Sequence, residues 1–303
     1  MKIPQKVLIL GGSGFVSGTL AKAALQRGSQ VWTVTRGQRP LIEGVTPVIV
    51  DRHDEPSFRK IVSALGEQWD LVVDCIGFEP ADAWQDLQVF QKCARQMVFI
   101  STDFVYDPAH RHFPQNEETE WYTQAGYGGK KRLCELEFLQ SNSEEMTWSI
   151  LRPCHIYGPG SQLGCLPMHT RDPQLIARIR AGEPIKLVGG GCFLQQPILA
   201  NDLAELILNL YGNPRTASQI FCAAGPEIIE SRQYYQIIAD ILGTTLTIED
   251  IPVDLYRQQH PEHASYLCHR IYDLAKLKEC GVPLPSTSVQ SALEEHVASL
   301  ITV

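Results

Sequence analysis

Tyr127-Gly128-Gly129-Lys130-Lys131 sets a phenol and an ammonium group four positions apart. On a helix that spacing puts both side chains on one face. A tyrosine ionises near ~10 in water, and a neighbouring ammonium favours the phenolate. Such a phenol can take or give a proton at a carbinol. A lone Y-x-x-x-K arises often by chance, so its weight comes from what precedes it. Ser101-Thr102 lies one loop upstream. Thr102 is expected to end a strand over 97–102, with its hydroxyl facing the carboxyl end of the sheet. There it would hold a substrate oxygen beside Tyr127. Asp103 reads as a second acid contacting substrate or as a turn residue, and both readings stay open.

A second constellation lies near the start. Gly11-Gly12-Ser13-Gly14-Phe15-Val16-Ser17-Gly18 follows an apolar run at Lys6–Leu10 and opens a helix. Glycines there permit positive φ and let the backbone approach a pyrophosphate, which then sits at the helix N-terminus. The reading assigns Gly11, Ser13, Gly14, Phe15 and Val16 to a dinucleotide. Ser17 stands where such loops usually carry a third glycine, a small and tolerable replacement. The next strand ends Val34-Thr35-Arg36-Gly37, with Arg39 close by and no Asp or Glu between Ser29 and Leu41. The acid that normally binds the NAD ribose is therefore missing. Arg36 is placed for a 2′-phosphate, so NADP is preferred over NAD; the competing reading is a solvated arginine. Asp51 is a candidate adenine contact, Cys75 is grouped with the cofactor residues, and Lys131 would also hold the nicotinamide ribose. The dinucleotide would exchange hydride while Tyr127 moves the proton.

These residues need a scaffold that brings loops to one sheet edge. Apolar runs at Lys6–Leu10, Val31–Thr35, Thr46–Val50, Asp70–Ile76, Met97–Thr102 and Trp148–Arg152 read as strands. They alternate with helical stretches at 15–27, 56–65, 81–95 and 127–141. That alternation predicts βαβ units and a parallel sheet covered on both faces. Beyond Gly158 the pattern loosens, with a helix near 173–181, a strand and helix at 195–211, a strand at 219–223 and helices near 231–242 and 288–300. The expected fold is α/β, a doubly wound parallel (Rossmann) sheet with a smaller interleaved C-terminal substrate domain. Residues 1–157, with 195–224 returning to them, would form the dinucleotide-binding domain. Residues 158–194 and 225–303 would form the smaller one.

The chain has 303 residues, enough for one large or two moderate domains. Its net charge of -8 argues against a general nucleic-acid binder, whose affinity comes from neutralising phosphates. No stretch approaches the ~20 apolar residues of a membrane span. Nine cysteines, an odd number without a C-x-x-C pair, read as reduced thiols of a cytoplasmic protein. Asp51-Arg52-His53-Asp54 resembles a metal cluster only superficially, because consecutive side chains diverge, and no metal is expected.

Together these motifs resemble the extended short-chain dehydrogenases, the NAD-dependent epimerase/dehydratase family, from Lys6 to about residue 300. Gly11-Gly12-Ser13-Gly14-Phe15 is similar to that family's cofactor loop, and Phe99 to Tyr106 to its serine/threonine strand. Tyr127, Lys131 and Glu135 are similar to its active helix. Arg152-Pro153 to Tyr157-Gly158-Pro159-Gly160 matches the strand and loop that follow, and Asp202-Leu203-Ala204 a later helix start. The resemblance implies a small hydroxylated substrate of the sugar-nucleotide kind and a homodimer formed through the helices at 81–95 and 127–141. Three departures stand out. Phe104 replaces the glutamate of the 4,6-dehydratases. Gln195, followed by Gln196, replaces a pyrophosphate-binding arginine, and no second such arginine is evident before Asp273. The Thr-Arg-Gly ending, the Trp-Ser-Ile-Leu-Arg-Pro strand and the Gln-Gln pair resemble a branch that includes chloroplast stem-loop RNA-binding proteins, which lack the tyrosine retained here. Gln195 and His155 are read as substrate contacts, His155 alternatively as a loop histidine with a structural partner. The expected activity is an NAD(P)-dependent epimerase or oxidoreductase. The competing classes are an RNA-binding protein and an NADP-sensing regulator on the same fold.

Overall fold

Apolar runs such as Val-Leu-Ile-Leu and Leu-Val-Val suit central strands covered on both faces, and seven strands build the main sheet. They are β1 (Lys6–Leu10), β2 (Gln30–Thr35), β3 (Thr46–Ile49), β4 (Trp69–Asp74), β5 (Ala94–Ile100), β6 (Thr147–Pro153) and β7 (Gln219–Ala223). In this computed structural model, which describes residues 2–141, 145–168 and 171–301, they form one sheet in the order β7-β6-β5-β4-β1-β2-β3. Every pairing in it is parallel. Successive side chains enter opposite cores. Val7 and Ile9 face α1 (Phe15–Gln26) and the helix Ala200–Asn209. Leu8 and Leu10 face α2 (Glu55–Ala64), α3 (Pro80–Phe90) and α4 (Gly126–Gln140). The fold is thus the expected doubly wound α/β layering. The chain order reverses between β1 and β4, so their following loops part and leave a crevice at the carboxyl edge.

Several boundaries differ from the sequence reading. The helix expected over 81–95 ends at Phe90, and by Ala94 the chain is already in β5, paired with Trp69. Gln91 to Arg95 is compatible with a helix, and the pairing with β4 decides against it. Thr102 lies past the end of β5, where it caps a 3₁₀ turn at Asp103–Val105. After Tyr157, the strands Ile185–Val188 and Ile248–Ile251 pair in parallel, which the sequence did not suggest. The helices Leu175–Arg180, Ser231–Ile241 and Val289–Ile301 pack with them on a separate core that includes Leu163, Tyr234, Tyr235 and Leu293. All nine cysteines are free. Among the described residues, no helix is long and apolar enough to cross a membrane.

One buried charge cluster ties the sheet edge to α3. Arg52, in the loop after β3, donates to Asp74 at 2.9 Å, to Asp86 at 2.9 Å and to the Asp82 carbonyl at 2.8 Å. Asp74 and Asp86 have no exposed surface, and Arg52 is 4% exposed. Burial opposes ionisation of Asp74, but the Arg52 guanidinium together with Asp86, the Lys131 ammonium and the Ile76 N–H outweighs it and holds the carboxyl below its usual range. Asp86 goes the other way: burial, with Asp74 alongside, pushes it well above that range. Asp86 is thus the carboxyl whose ionisation this cluster disfavours. Two substitutions should then differ sharply. Arg52→Met leaves buried carboxylates without their cation and should cost about 3–5 kcal/mol. Asp86→Asn resembles the protonated acid and keeps an acceptor for Arg52, so it should cost below about 1.5 kcal/mol. Urea denaturation measures both, and equal losses would contradict the assignment.

Candidate active site

Helix α4 carries the central residues, and its fit depends on what it lacks. A Cβ on Gly128 would lie 2.0 Å from the Phe104 carbonyl oxygen, and one on Gly129 would lie 2.8 Å from the Gln124 backbone. The Gly-Gly pair thus lets the first turn press against the 104 loop. Further along, Glu135 fixes the helix to the sheet. It accepts from the Ser101 hydroxyl at 2.6 Å and from Arg152 at 2.9 and 2.7 Å. Arg152 and Glu135 are fully buried, and the bidentate pair holds Glu135 ionised against the cost of burial.

Within that frame Tyr127 is half-exposed at the start of α4, while the Thr102 hydroxyl accepts from the Phe104 N–H at 3.3 Å. The Tyr127 ring lies 6.3 Å from Phe78 and 6.2 Å from Phe104. The expected effect of Lys131 on Tyr127 is not what dominates. The phenol is shifted upward by desolvation, which the Thr102 hydroxyl only partly offsets, and the Asp103 charge adds to the rise. Lys131, 2% exposed, instead donates to the carbonyls of Gly77 and Ile100, each at 2.6 Å, and its ammonium lies 4.1 Å from the centre of the Phe99 ring. Burial lowers its pKa, with Asp74 opposing.

Beside this group lies a cavity of about 350 Å³. Gly11, Ser13, Gly14, Arg36, Asp51 and Phe78 are among its walls. Gly11 and Gly12 take φ of 114° and 113°, and a Cβ on Gly12 would fall 2.4 Å from Thr33. Ser17, where a third glycine was expected, is 3% exposed and its hydroxyl accepts from the Gly14 N–H at 3.2 Å. Serine here caps the turn as well as fitting it. Arg36 and Arg39 line the same cavity, are exposed, and make no ion pair among the described residues. Of the other residues assigned to cofactor, Val16 and Cys75 pack against the sheet core. Phe15 lies under the Arg171 guanidinium at 5.8 Å. The tight glycine turn, the helix N-terminus and the two unpaired arginines fit a phosphorylated dinucleotide.

On the other side of Tyr127 lies a polar, buried region. Asp103, read as a substrate contact or turn residue, is 2% exposed, with its carboxylate hydrogen-bonded by Arg270 and Tyr272. Arg111 donates to its carbonyl at 2.7 Å. The carboxylate is therefore engaged by these partners, which lie far away in sequence. His155 is held neutral: burial, and then Arg171, depress its pKa to about 4. Its Nε2 has no partner among the described residues, and neither does the side-chain amide of Gln195, which is completely buried. Gln196, by contrast, is satisfied by Gly225 and Tyr272. Arg270 bridges to Gln195 along the backbone, lies 4.2 Å over the Phe104 ring, and leaves its Nε unpaired. The sequence reading found no arginine of note before Asp273, yet Arg270 stands three positions ahead of it. Its only signal was a single cation in Cys268-His269-Arg270-Ile271-Tyr272.

Comparison with known proteins agrees with this geometry. The model of the NAD dependent epimerase/dehydratase family matches residues 7–223. Among solved structures, UDP-glucose 4-epimerase of Thermotoga maritima superposes with a TM-score of 0.80 at 19% identity, covering 98% of this chain and 99% of that one. UDP-N-acetylglucosamine 4-epimerase of Methanobrevibacter ruminantium gives 0.80 at 18%, over 100% and 99%. These likenesses concern the fold. By sequence, a chloroplast stem-loop binding protein of 41 kDa from Arabidopsis thaliana is 26% identical over 238 residues, 74% of this chain but 60% of that protein's length. A dTDP-4-dehydro-6-deoxy-D-allose reductase of Streptomyces is 23% identical over 96% of this chain and 94% of its own. With seven parallel strands, the glycine turn and the tyrosine–lysine helix all in place, the chain belongs to the NAD-dependent epimerase/dehydratase family.

Proposed function

We propose that the chain is an NADP-dependent oxidoreductase acting on a carbonyl or carbinol of a hydroxylated small molecule, sugar nucleotides included. The observation that carries this reading is the half-exposed Tyr127 beside Phe78, which lines a crevice that Arg36 and Arg39 also line without an ion pair among the described residues. When bound, the dinucleotide supplies or accepts hydride. The residues of the chain do the rest. Arg36 and Arg39 hold a 2′-phosphate, Thr102 and Tyr127 position the substrate oxygen, and the phenol gives that oxygen its proton on reduction. His155, Gln195 and Arg270 offer neutral and cationic donors to the remainder of the substrate. The exposed Trp84, Leu133 and Leu139 on α3 and α4 are available to a second copy.

An epimerase would use the same residues but keep its dinucleotide through each turnover, and the likeness to UDP-sugar epimerases supports that variant. RNA binding without turnover is the second reading, supported by the similarity to a stem-loop binding protein. It requires that a Tyr127 variant lose nothing.

The raised phenol pKa gives a direction to the pH profile. The acid needed for reduction is lost only as pH rises through that raised value, so kcat/KM for reduction should stay flat across neutral pH and fall only beyond the ordinary tyrosine range. Tyr127→Phe should lower kcat by roughly 100- to 10,000-fold while leaving NADPH affinity nearly unchanged. Steady-state kinetics on a panel of nucleoside-diphosphate ketosugars and 3-oxo acids checks both. A variant as active as wild type would exclude the tyrosine mechanism. Arg36→Ala should weaken NADPH binding by about 10-fold or more with little change for NADH, as measured by fluorescence titration.

A further inference from the structure

The segment after the helix Val253–Gln259 carries His260-Pro261-Glu262-His263, remote in sequence from every catalytic residue. We propose that His260, Glu262 and His263 form a binding site for a divalent transition-metal ion of the zinc class. One ligating atom from each residue lies within 4.8 Å of the others. His260 Nδ1 stands 3.3 Å from Glu262 Oε1, and His263 Nε2 stands 3.8 Å from the same oxygen. Metal–ligand bonds of about 2.0–2.2 Å at a tetrahedral angle place neighbouring ligands roughly 3.3–3.5 Å apart. The first pair already has that separation, and the second needs a few tenths of an ångström.

The histidines are also prearranged. His263 lies beside two tyrosines in near-parallel planes, with ring centroids 5.9 Å from Tyr256 and 4.9 Å from Tyr266, at 24° and 12°. The Tyr256 hydroxyl lies 2.8 Å from His263 Nδ1. That contact fixes the ring and leaves Nε2 turned toward Glu262, the arrangement in which a ligating imidazole has its other nitrogen engaged. The His260 ring lies nearly parallel to it at 17°. Side-chain exposures of 43%, 61% and 35% leave all three reachable by an ion from solvent. Two imidazoles and one carboxylate select zinc, nickel or copper over magnesium or calcium, which favour oxygen donors throughout. A water would complete the tetrahedron. The site also adjoins the active-site wall: Ser265 accepts from Arg270 at 2.8 Å, and Tyr266 meets Phe104 edge-on at 5.6 Å.

The test is titration of the full chain with Zn²⁺ in competition with a chromophoric chelator. One ion per chain is expected, with no displacement by Mg²⁺. His260→Ala and His263→Ala should each weaken binding by about 100-fold, and Tyr256→Phe by roughly 10-fold, the usual effect of removing a ligand's outer partner. Glu262→Gln keeps the side-chain shape and should also weaken binding. No uptake by the wild type would overturn the proposal. So would undiminished uptake by the His260→Ala/His263→Ala double variant, which would place the ion on cysteines such as the exposed Cys192.

Discussion

Asp74 has no exposed surface, yet its environment keeps it ionised, and the geometry of the active crevice follows from how that charge is satisfied. One carboxylate oxygen takes Arg52. The other takes the backbone N–H groups of Ile76 and Gly77 at 2.8 and 2.9 Å. That turn after β4 leaves no room at Gly77, where a Cβ would approach the Asp74 carboxylate to 2.2 Å. The Gly77 carbonyl in turn receives the Lys131 ammonium. A single carboxylate therefore shapes one wall of the crevice through Ile76 and places Lys131 of α4. Burial would otherwise make such a charge expensive, and Arg52 with the two backbone N–H groups offsets that cost.

The second anchor, Glu135 with Arg152, works on the same helix one turn further on. Between the two, α4 is held at Lys131 by backbone carbonyls and at Glu135 by a bidentate ion pair. Tyr127, beyond both, stays half-exposed at 49%. Tyr127 is thus the least confined of the three, while Lys131 and Glu135, which hold the helix, are buried. Charged groups inside the protein serve here mainly as fixed geometry.

The features legible in the sequence were those set by local pattern. Apolar runs revealed β1, β2 and β4, and glycine spacing revealed the tight turn between β1 and α1, because both arise from neighbours in the chain. Features that depend on distant partners were hidden. Asp103 read as a substrate acid or turn residue because nothing near it in sequence announces Arg270 or Tyr272, 167 and 169 positions away. Arg270 went unnoticed for the same reason. The strands Ile185–Val188 and Ile248–Ile251 are four residues each and find one another only through the fold. The helix expected to reach residue 95 had no local stop signal, since pairing with Trp69 sets that boundary.

The central claim is that the crevice between the glycine turn and Arg36 serves a phosphorylated dinucleotide. The most direct measurement is to purify the protein, denature it, identify any nucleotide released, and then titrate the emptied protein with NADPH and NADH. The account predicts saturable NADPH binding, at least about 10-fold tighter than NADH given a charge-assisted contact to the 2′-phosphate. Nucleotide released on denaturation would assign the epimerase variant, and empty protein the reductase. Binding of neither dinucleotide, in protein shown to be folded, would contradict the account.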